Sequence, residues 1–477
     1  MAKWRLPVGV YLALLVAHAP LLQLPYYWDE AGYYIFAALD FFRHGWLAPR
    51  STLANGHPPL LSFYLAGAWA VAGFHPLVTR AAMLVWAAGL LCGVHALARP
   101  RLGGGGAAAA ALLLGLSPLV FAQATLAQLE VAVAALVVWA LVALERERDA
   151  LAAVLLAAAC LMKETAVIAP LALLPVVPPR TRRWLLLPMA VLGLWYVWYH
   201  HLTGYWFGNP QYFAYNVSQA ALSLPRIGLA LLRRCWQLVG YNGTWLLSLL
   251  ALLAVWRGRR GAGASAAPRA WLALVAAYLL FHAAIGGAVL ARYLLPAQAL
   301  YFIWLAEQIQ RLPRAGGWVA GCAAFLVVGW FWNPPYPFPY EDNLAYVQFI
   351  RLHQAAAQYL EQHPPSGPVW TAWPATDELS RPELGYVTRP LPVAALQDFS
   401  AASLAGLRAA PPALLLYSLT YQPRLDLASA LPFWNDWARR YFDYEEPAPP
   451  AAWVERWHMQ TRFQRARAGQ WITLAVR

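Results

Sequence analysis

The stretch Leu6-Pro7-Val8-Gly9-Val10-Tyr11-Leu12-Ala13-Leu14-Leu15-Val16-Ala17-His18-Ala19-Pro20-Leu21-Leu22-Gln23-Leu24, with Pro25-Tyr26-Tyr27-Trp28-Asp29-Glu30 directly after it, decides how this chain reads. An apolar run close to the roughly 20 residues that cross a bilayer as a helix ends on two adjacent acids ringed by aromatics. No A-x-A-like cleavage site precedes the acids, so the run reads as a retained first span and not as a signal peptide. An ionisable pair at a bilayer surface suits a site that works on an amphiphilic substrate. The plainer reading of the same residues is a solvated loop with an aromatic belt.

Composition extends the first reading to the rest of the chain. Of 477 residues, 61% are hydrophobic and 12% charged, with 25 Trp and a net charge of +13; mean hydropathy is +0.45. The apolar runs exceed what a soluble core of this size would bury, which excludes an ordinary soluble globule. They are continuous and do not alternate, so helices and not a barrel are expected to cross the membrane. Cys92, Cys160 and Cys322 lie inside apolar runs and Cys235 near the start of another, which implies no disulfide framework. The basic pI of about 9.7 says little about substrate, since many arginines fall between apolar runs.

Eleven spans can be laid out. Lys3 and Arg5 put the N-terminus in the cytoplasm by the positive-inside rule, so Asp29 and Glu30 face outward. Residues 25–76 then form a long outer loop, with an interfacial helix over 31–42 and an apolar stretch from His57-Pro58-Pro59-Leu60 to Phe74 that lies on, or re-enters, the outer leaflet. Spans follow at about 77–98, 105–122, 126–144, 150–162, 165–178, 184–202 and 238–256, two more turn outside near Arg292, and the last covers about 316–333. Arg226, Arg233 and Arg234 fall on an amphipathic outer stretch, against the charge rule, which weighs interfacial helices little. The Gly103–Gly106 run is a helix entrance and not a phosphate loop.

Beyond Pro334-Pro335-Tyr336-Pro337 the apolar runs shorten to strand length, as in Val369-Trp370-Thr371 and Ala413-Leu414-Leu415-Leu416-Tyr417, between helical patterns such as 344–362. Two domains are expected: a transmembrane domain over 1–333 and a small soluble α/β domain over 334–477, suited to a lid or an acceptor-binding module.

This topology gathers Asp29, Glu30, Glu130, Lys163, Glu164 and Arg292 at the outer face, with His57 beside them. A carboxylate can take a proton from a hydroxyl acceptor, and cations can neutralise a departing phosphate. Each has a plainer role: Glu130 pairing with a base inside the bundle, Lys163-Glu164 as a solvated turn, Arg292 snorkelling to headgroups, His57 capping a Pro-Pro helix entrance. His200 and His201 are the weakest candidates, for a metal.

Asp29-Glu30 after the first span, Pro58-Pro59-Leu60, the stretch 125–133 with Glu130, Lys163 between two short spans and Arg292-Tyr293-Leu294-Leu295-Pro296 together resemble the protein O-mannosyltransferase and aminoarabinose transferase superfamily, whose members are GT-C glycosyltransferases. The resemblance covers about residues 6–333. It implies a GT-C fold with a catalytic acid or base at Asp29, and Glu30 next to it. It also implies basic side chains against the carrier phosphate at Lys163 and Arg292, with His57, Glu130, Glu164 and Tyr293 orienting substrate. Where the aminoarabinose enzymes carry a lysine before Pro-Pro-Leu, this chain has His57, which leaves the sugar and the acceptor open. The implied reaction moves one sugar from a polyprenyl-phosphate donor, such as an undecaprenyl phosphate sugar, to a hydroxyl acceptor on a glycan, lipid or protein. It would run with inversion at the outer face of a bacterial inner membrane, the C-terminal domain being periplasmic, and no nucleic acid takes part. A divalent cation, magnesium or manganese, held by Asp29 and Glu30 is an open branch. A ligase or oligosaccharyltransferase moving a whole lipid-linked oligosaccharide is the nearest alternative; a lipid flippase or transporter is the alternative from another class.

Overall fold

The computed structural model describes residues 5–216, 223–258, 268–285, 287–422, 431–442 and 447–477. The chain forms two compact units: residues 1–22 with 36–332, and residues 23–35 with 333–477.

The first unit is helical. Three of its stretches, Pro76–Leu116, Pro179–Thr203 and Leu224–Gly258, are long and apolar enough to cross a membrane, and six shorter apolar helices accompany them. The expected first span is the helix Arg5–Ala17, after which Pro20 sits in a single turn of 3-10 helix, Ala19–Leu21. The stretch Pro76–Leu116 is two helices end to end: Gly103, at φ +67, leaves the helical region where a side chain would be strained, and the chain turns there between the expected spans 77–98 and 105–122. The expected pair 150–162 and 165–178 folds as Asp149–Met162, a 3-10 turn Glu164–Val167, and a short helix Ile168–Leu173. At about 1.5 Å per residue neither helix reaches the roughly 30 Å of a bilayer core. The interfacial helix expected over 31–42 is a π-helical turn, Glu30–Tyr34, continued as Ile35–His44.

Small residues let these helices approach closely. On Pro76–Leu116 the Gly89 carbonyl accepts a hydrogen bond from Trp139 Nε1 at 2.9 Å, and a Cβ on Gly93 would stand only 3.0 Å from Val138. The helix that carries Val138 and Trp139, Glu130–Glu145, is buried nearly along its whole length. Large apolar side chains such as Leu194, Leu232 and Val71 are exposed instead, as they are in a protein whose solvent is hydrocarbon.

The second unit contains a five-stranded sheet in the order β2-β1-β3-β5-β4, with β1 Val369–Thr371, β2 Val393–Ala395, β3 Ala413–Tyr417, β4 Gln460–Arg467 and β5 Gln470–Val476. β1 runs parallel to β2 and β3, and β3 antiparallel to β5. Every residue of β3 is buried, as the unbroken apolar run requires of a central strand. The helix Ala345–Gln362 covers the sheet; from it His353 pairs with Glu378 at 2.5 Å, both side chains inside the core. Burial, with Glu378 nearby, pushes the Tyr417 hydroxyl well above its ordinary range, so it stays protonated and donates to the Ala372 carbonyl.

The residues just after the first apolar run belong to this second unit. Tyr26 donates its backbone N–H to the Leu384 carbonyl at 3.1 Å, the Tyr27 ring packs on Tyr346 and Phe349, and Trp28 packs edge-on to Phe349 and Trp373. Gly32 lies against the Trp373 ring, where a Cβ would come within 2.7 Å of it. Replacing Gly32 by Ala should lower the stability of this unit by about 1–3 kcal/mol through overpacking, read as a fall in the midpoint of thermal unfolding. An unchanged midpoint would count against this packing.

Candidate active site

The site in the helical unit begins with helix ends. Glu130 opens Glu130–Glu145, where the free N–H groups of the first turn favour a carboxylate. Lys163 follows Asp149–Met162 in an extended conformation that ends the helix and frees its side chain to turn inward. Arg292 and Tyr293 lie on the single 3-10 turn Ala291–Leu294, directly before Leu295–Ile309.

These ends meet. Lys163 Nζ donates to Glu130 Oε1 at 2.8 Å, and Arg292 Nε stands 3.3 Å from the same oxygen. Tyr293 supplies a ring beneath the cations: Lys163 Nζ is 4.1 Å from its centroid, and the Arg292 and Arg234 guanidinium carbons are 5.6 and 5.7 Å away. The Glu130, Lys163, Arg292 and Arg234 side chains are all buried. Among the described residues Arg234 bonds only neutral oxygens, the carbonyls of His282 and Leu290 and Gln237 Oε1. Beside Lys163 and Arg292, Arg234 is thus a third buried cation, and among the described residues it pairs with no carboxylate, a charge that a dry interior tolerates poorly without an anion. A cavity of about 10 Å³, room for about one water molecule, opens on Glu130, Lys163, Thr165, Tyr278, His282 and Tyr293.

A second pair adjoins it along the chain. His57 Nδ1 lies 2.6 Å from Glu164 Oε2, the histidine mostly buried and the acid partly so. The loop holding His57 is fixed by close backbone packing: Gly56, at φ +75, sits where a Cβ would be 2.7 Å from the Gly208 nitrogen, and its carbonyl accepts from Trp195 Nε1 at 3.2 Å.

The sequence-predicted residues thus separate into groups. Glu130, Lys163, Arg292 and Tyr293 come together, and His57 meets Glu164. Asp29 and Glu30 belong to the other unit, where Glu30 is fully buried and accepts the Tyr27 backbone N–H at 2.8 Å, while Asp29 is half-buried at the start of the π-helical turn. Sequence reasoning missed Arg234 and His282. The helix Leu224–Val239 had been expected at the membrane surface; instead Arg226 and Arg234 are buried and Arg233 alone of the three is exposed. The signal was present, since an arginine in a segment flanked by apolar turns marks a site as readily as a surface. Among the described residues no three His, Cys, Asp or Glu side chains gather as a metal ion would need. His200 stacks on Trp206 at 4.0 Å.

Because Glu130 is shared, the members of this network are not equivalent. Glu130→Ala removes the carboxylate that two buried cations share and should cost about 3–5 kcal/mol, whereas Lys163→Met leaves Glu130 with Arg292 and should cost less. Chemical unfolding of the detergent-solubilised protein would show the order, and a smaller loss for Glu130→Ala would contradict it.

Residues 56–206, which hold His57, Glu130, Lys163 and Glu164, match the family model of the dolichyl-phosphate-mannose-protein mannosyltransferases. Two solved structures of ArnT from Cupriavidus metallidurans align over the chain. The form bound to undecaprenyl phosphate has a TM-score of 0.56 at 14% identity, covering 98% of this chain and 97% of that one. The apo form has a TM-score of 0.55 at 13% identity over the same shares. An oligosaccharyltransferase from Archaeoglobus fulgidus, complexed with zinc and sulfate, aligns with a TM-score of 0.45 at 13% identity, covering 81% of this chain and 62% of that one. No curated protein matches the sequence directly. The chain has the fold of the GT-C membrane glycosyltransferases and resembles their protein O-mannosyltransferase and aminoarabinose transferase members.

Proposed function

We propose that this protein transfers a single sugar from a polyprenyl-phosphate donor to a hydroxyl acceptor at the outer face of a bacterial inner membrane. The observation that carries the reading is the cluster of buried cations around Tyr293: Lys163 and Arg292 at Glu130, and Arg234, which among the described residues bonds neutral oxygens and no carboxylate. A phosphate restores the balance. A lipid-linked sugar delivers that phosphate from within the bilayer, so no nucleotide-binding domain is called for.

In the proposed reaction the acceptor hydroxyl attacks the anomeric carbon in line as the bond from that carbon to the phosphate oxygen breaks. The new C–O bond forms with inversion, the hydroxyl proton passes to the Asp29 carboxylate, and the electron pair of the broken bond stays on polyprenyl phosphate. Lys163, Arg292 and Arg234 stabilise the charge that collects there. Glu130 holds Lys163 and Arg292 in place, and the His57–Glu164 pair orients the sugar. The cavity of about 10 Å³ is too small for a glycosyl phosphate, so donor binding must move side chains, with the Tyr293 ring and Lys163 closest to hand.

In the proposed topology the chain crosses the membrane eleven times, each helix too short to cross alone being lengthened by the turns beside it, with the N-terminus cytoplasmic and the C-terminal unit periplasmic. The basic residues Lys3 and Arg5 at the start, and Arg180, Arg182 and Arg183 later, support that orientation.

Two measurements test the chemistry. Asp29→Asn should lower kcat by about 100-fold or more while donor binding persists, as loss of a general base does; turnover at the wild-type rate would remove Asp29 from that role. Lys163→Ala, Arg292→Ala and Arg234→Ala should each weaken binding of a polyprenyl-phosphate sugar by about 10-fold or more. Unchanged affinity in all three would overturn the phosphate assignment.

A further inference from the structure

Alternate residues of a strand share a face, so Phe463, Arg465 and Arg467 of β4 project together. Phe463 identifies that face, because its ring meets Tyr359 of the helix Ala345–Gln362 at 5.2 Å. The partners opposite on β5, Leu474, Ile472 and Gln470, are buried, and Gln470 Nε2 donates to the Ala345 carbonyl at 2.8 Å. This is the side of the hairpin turned to the helix, where a packed layer calls for apolar side chains. Two of the three positions on β4 are arginine instead. The helix answers with Arg351 and Leu352, about two turns before Tyr359. Arg351, Leu352, Arg465, Ala466 and Arg467 line a cavity of about 390 Å³.

No carboxylate lines that cavity, and among the described residues none of its three arginines forms an ion pair. Arg465 and Arg467 are exposed, and charge on an edge strand guards it against pairing with other chains. That role does not account for Arg351, also exposed, which brings a third like charge from the helix to the same cavity; solvent screens their repulsion, and an anion between them would remove it. Guanidinium groups present forked donors that match phosphate oxygens.

The hairpin turn points to the source of the anion. Asn333 is the first residue of this unit after the apolar helix Ala315–Gly329 and the exposed aromatics Phe331 and Trp332. Its Nδ2 reaches the carbonyl of Ala468, the neighbour of Arg467, at 3.5 Å. The cavity thus lies beside the residue at which the chain enters this unit, only a few positions in sequence after its last apolar helix, and on the membrane topology proposed above such a residue follows the lipid headgroup level. We infer that Arg351, Arg465 and Arg467 form a binding site for the phosphate of an anionic phospholipid headgroup, which holds the C-terminal unit to the bilayer surface.

The test uses the full-length protein in neutral detergent, with dihexanoyl phosphatidylglycerol, dihexanoyl phosphatidylcholine and inorganic phosphate as separate probes. Phosphatidylglycerol should bind about 10-fold or more tightly than phosphatidylcholine, and R465Q/R467Q should remove about 10-fold or more of that affinity. R351Q, placed on the helix, should give a loss in the same direction even if the hairpin variant folds poorly. Equal binding of the two lipids, or phosphatidylglycerol binding that neither variant weakens, would overturn the site. Inorganic phosphate binding as tightly as phosphatidylglycerol would overturn the lipid as its source. Wild-type turnover of a polyprenyl-phosphate sugar, measured on the same preparation, reports on the proposed reaction separately: an inactive protein that still selects phosphatidylglycerol through these arginines keeps the site and loses the reaction.

Discussion

One carboxylate holds the interior of the helical unit together. Glu130 takes a hydrogen bond from Lys163 and a close approach from Arg292, and it does so where water is scarce. In such surroundings an ion pair contributes little net stability, because stripping both partners of water cancels much of their attraction. What it provides is position. Four separate elements, the starts of Glu130–Glu145 and Leu295–Ile309, the end of Asp149–Met162 and the middle of Leu224–Val239, are fixed around one ring, that of Tyr293, by the need to keep these charges in company.

Arg234 stands apart from that pairing. A site with equal charges would be self-sufficient and would repel an incoming phosphate as readily as it welcomed one. Leaving Arg234 on neutral carbonyls and an amide keeps its guanidinium ordered without spending its charge on a permanent partner. The same logic recurs in the C-terminal unit on a more exposed scale, where Arg351, Arg465 and Arg467 are screened by solvent and can be left unpaired at smaller cost.

Much of this was legible in the sequence because charged residues inside apolar runs are rare and therefore conspicuous. Glu130, Lys163 and Arg292 announce themselves that way, and each apolar run between them reads as a helix. The strands β1 and β3 were equally plain as short apolar runs. Arg234 was not, since its helix carries arginines on both faces and an amphipathic pattern describes a surface helix and a buried one alike. Nor could the pattern show where the helices end inside the apolar runs: the break at Pro20 and the extended Lys163 end them for local reasons that periodicity does not register. The assignment of residues 23–35 to the C-terminal unit was hidden for a different reason, being a long-range contact between aromatics more than three hundred positions apart.

That contact changes what the C-terminal tail is. Pro25 against Gly385, Tyr27 and Trp28 against Phe349, and Gly32 against Trp373 make the first loop a missing piece of a distant sheet domain, inserted from the other end of the chain. The acid pair at Asp29-Glu30 rides on that piece. A tail so joined is not a detachable accessory: a chain ended near residue 333 would keep both acids in its sequence and lose the scaffold that shapes the backbone around them, and a nascent chain gains that scaffold only when its last strand has been made.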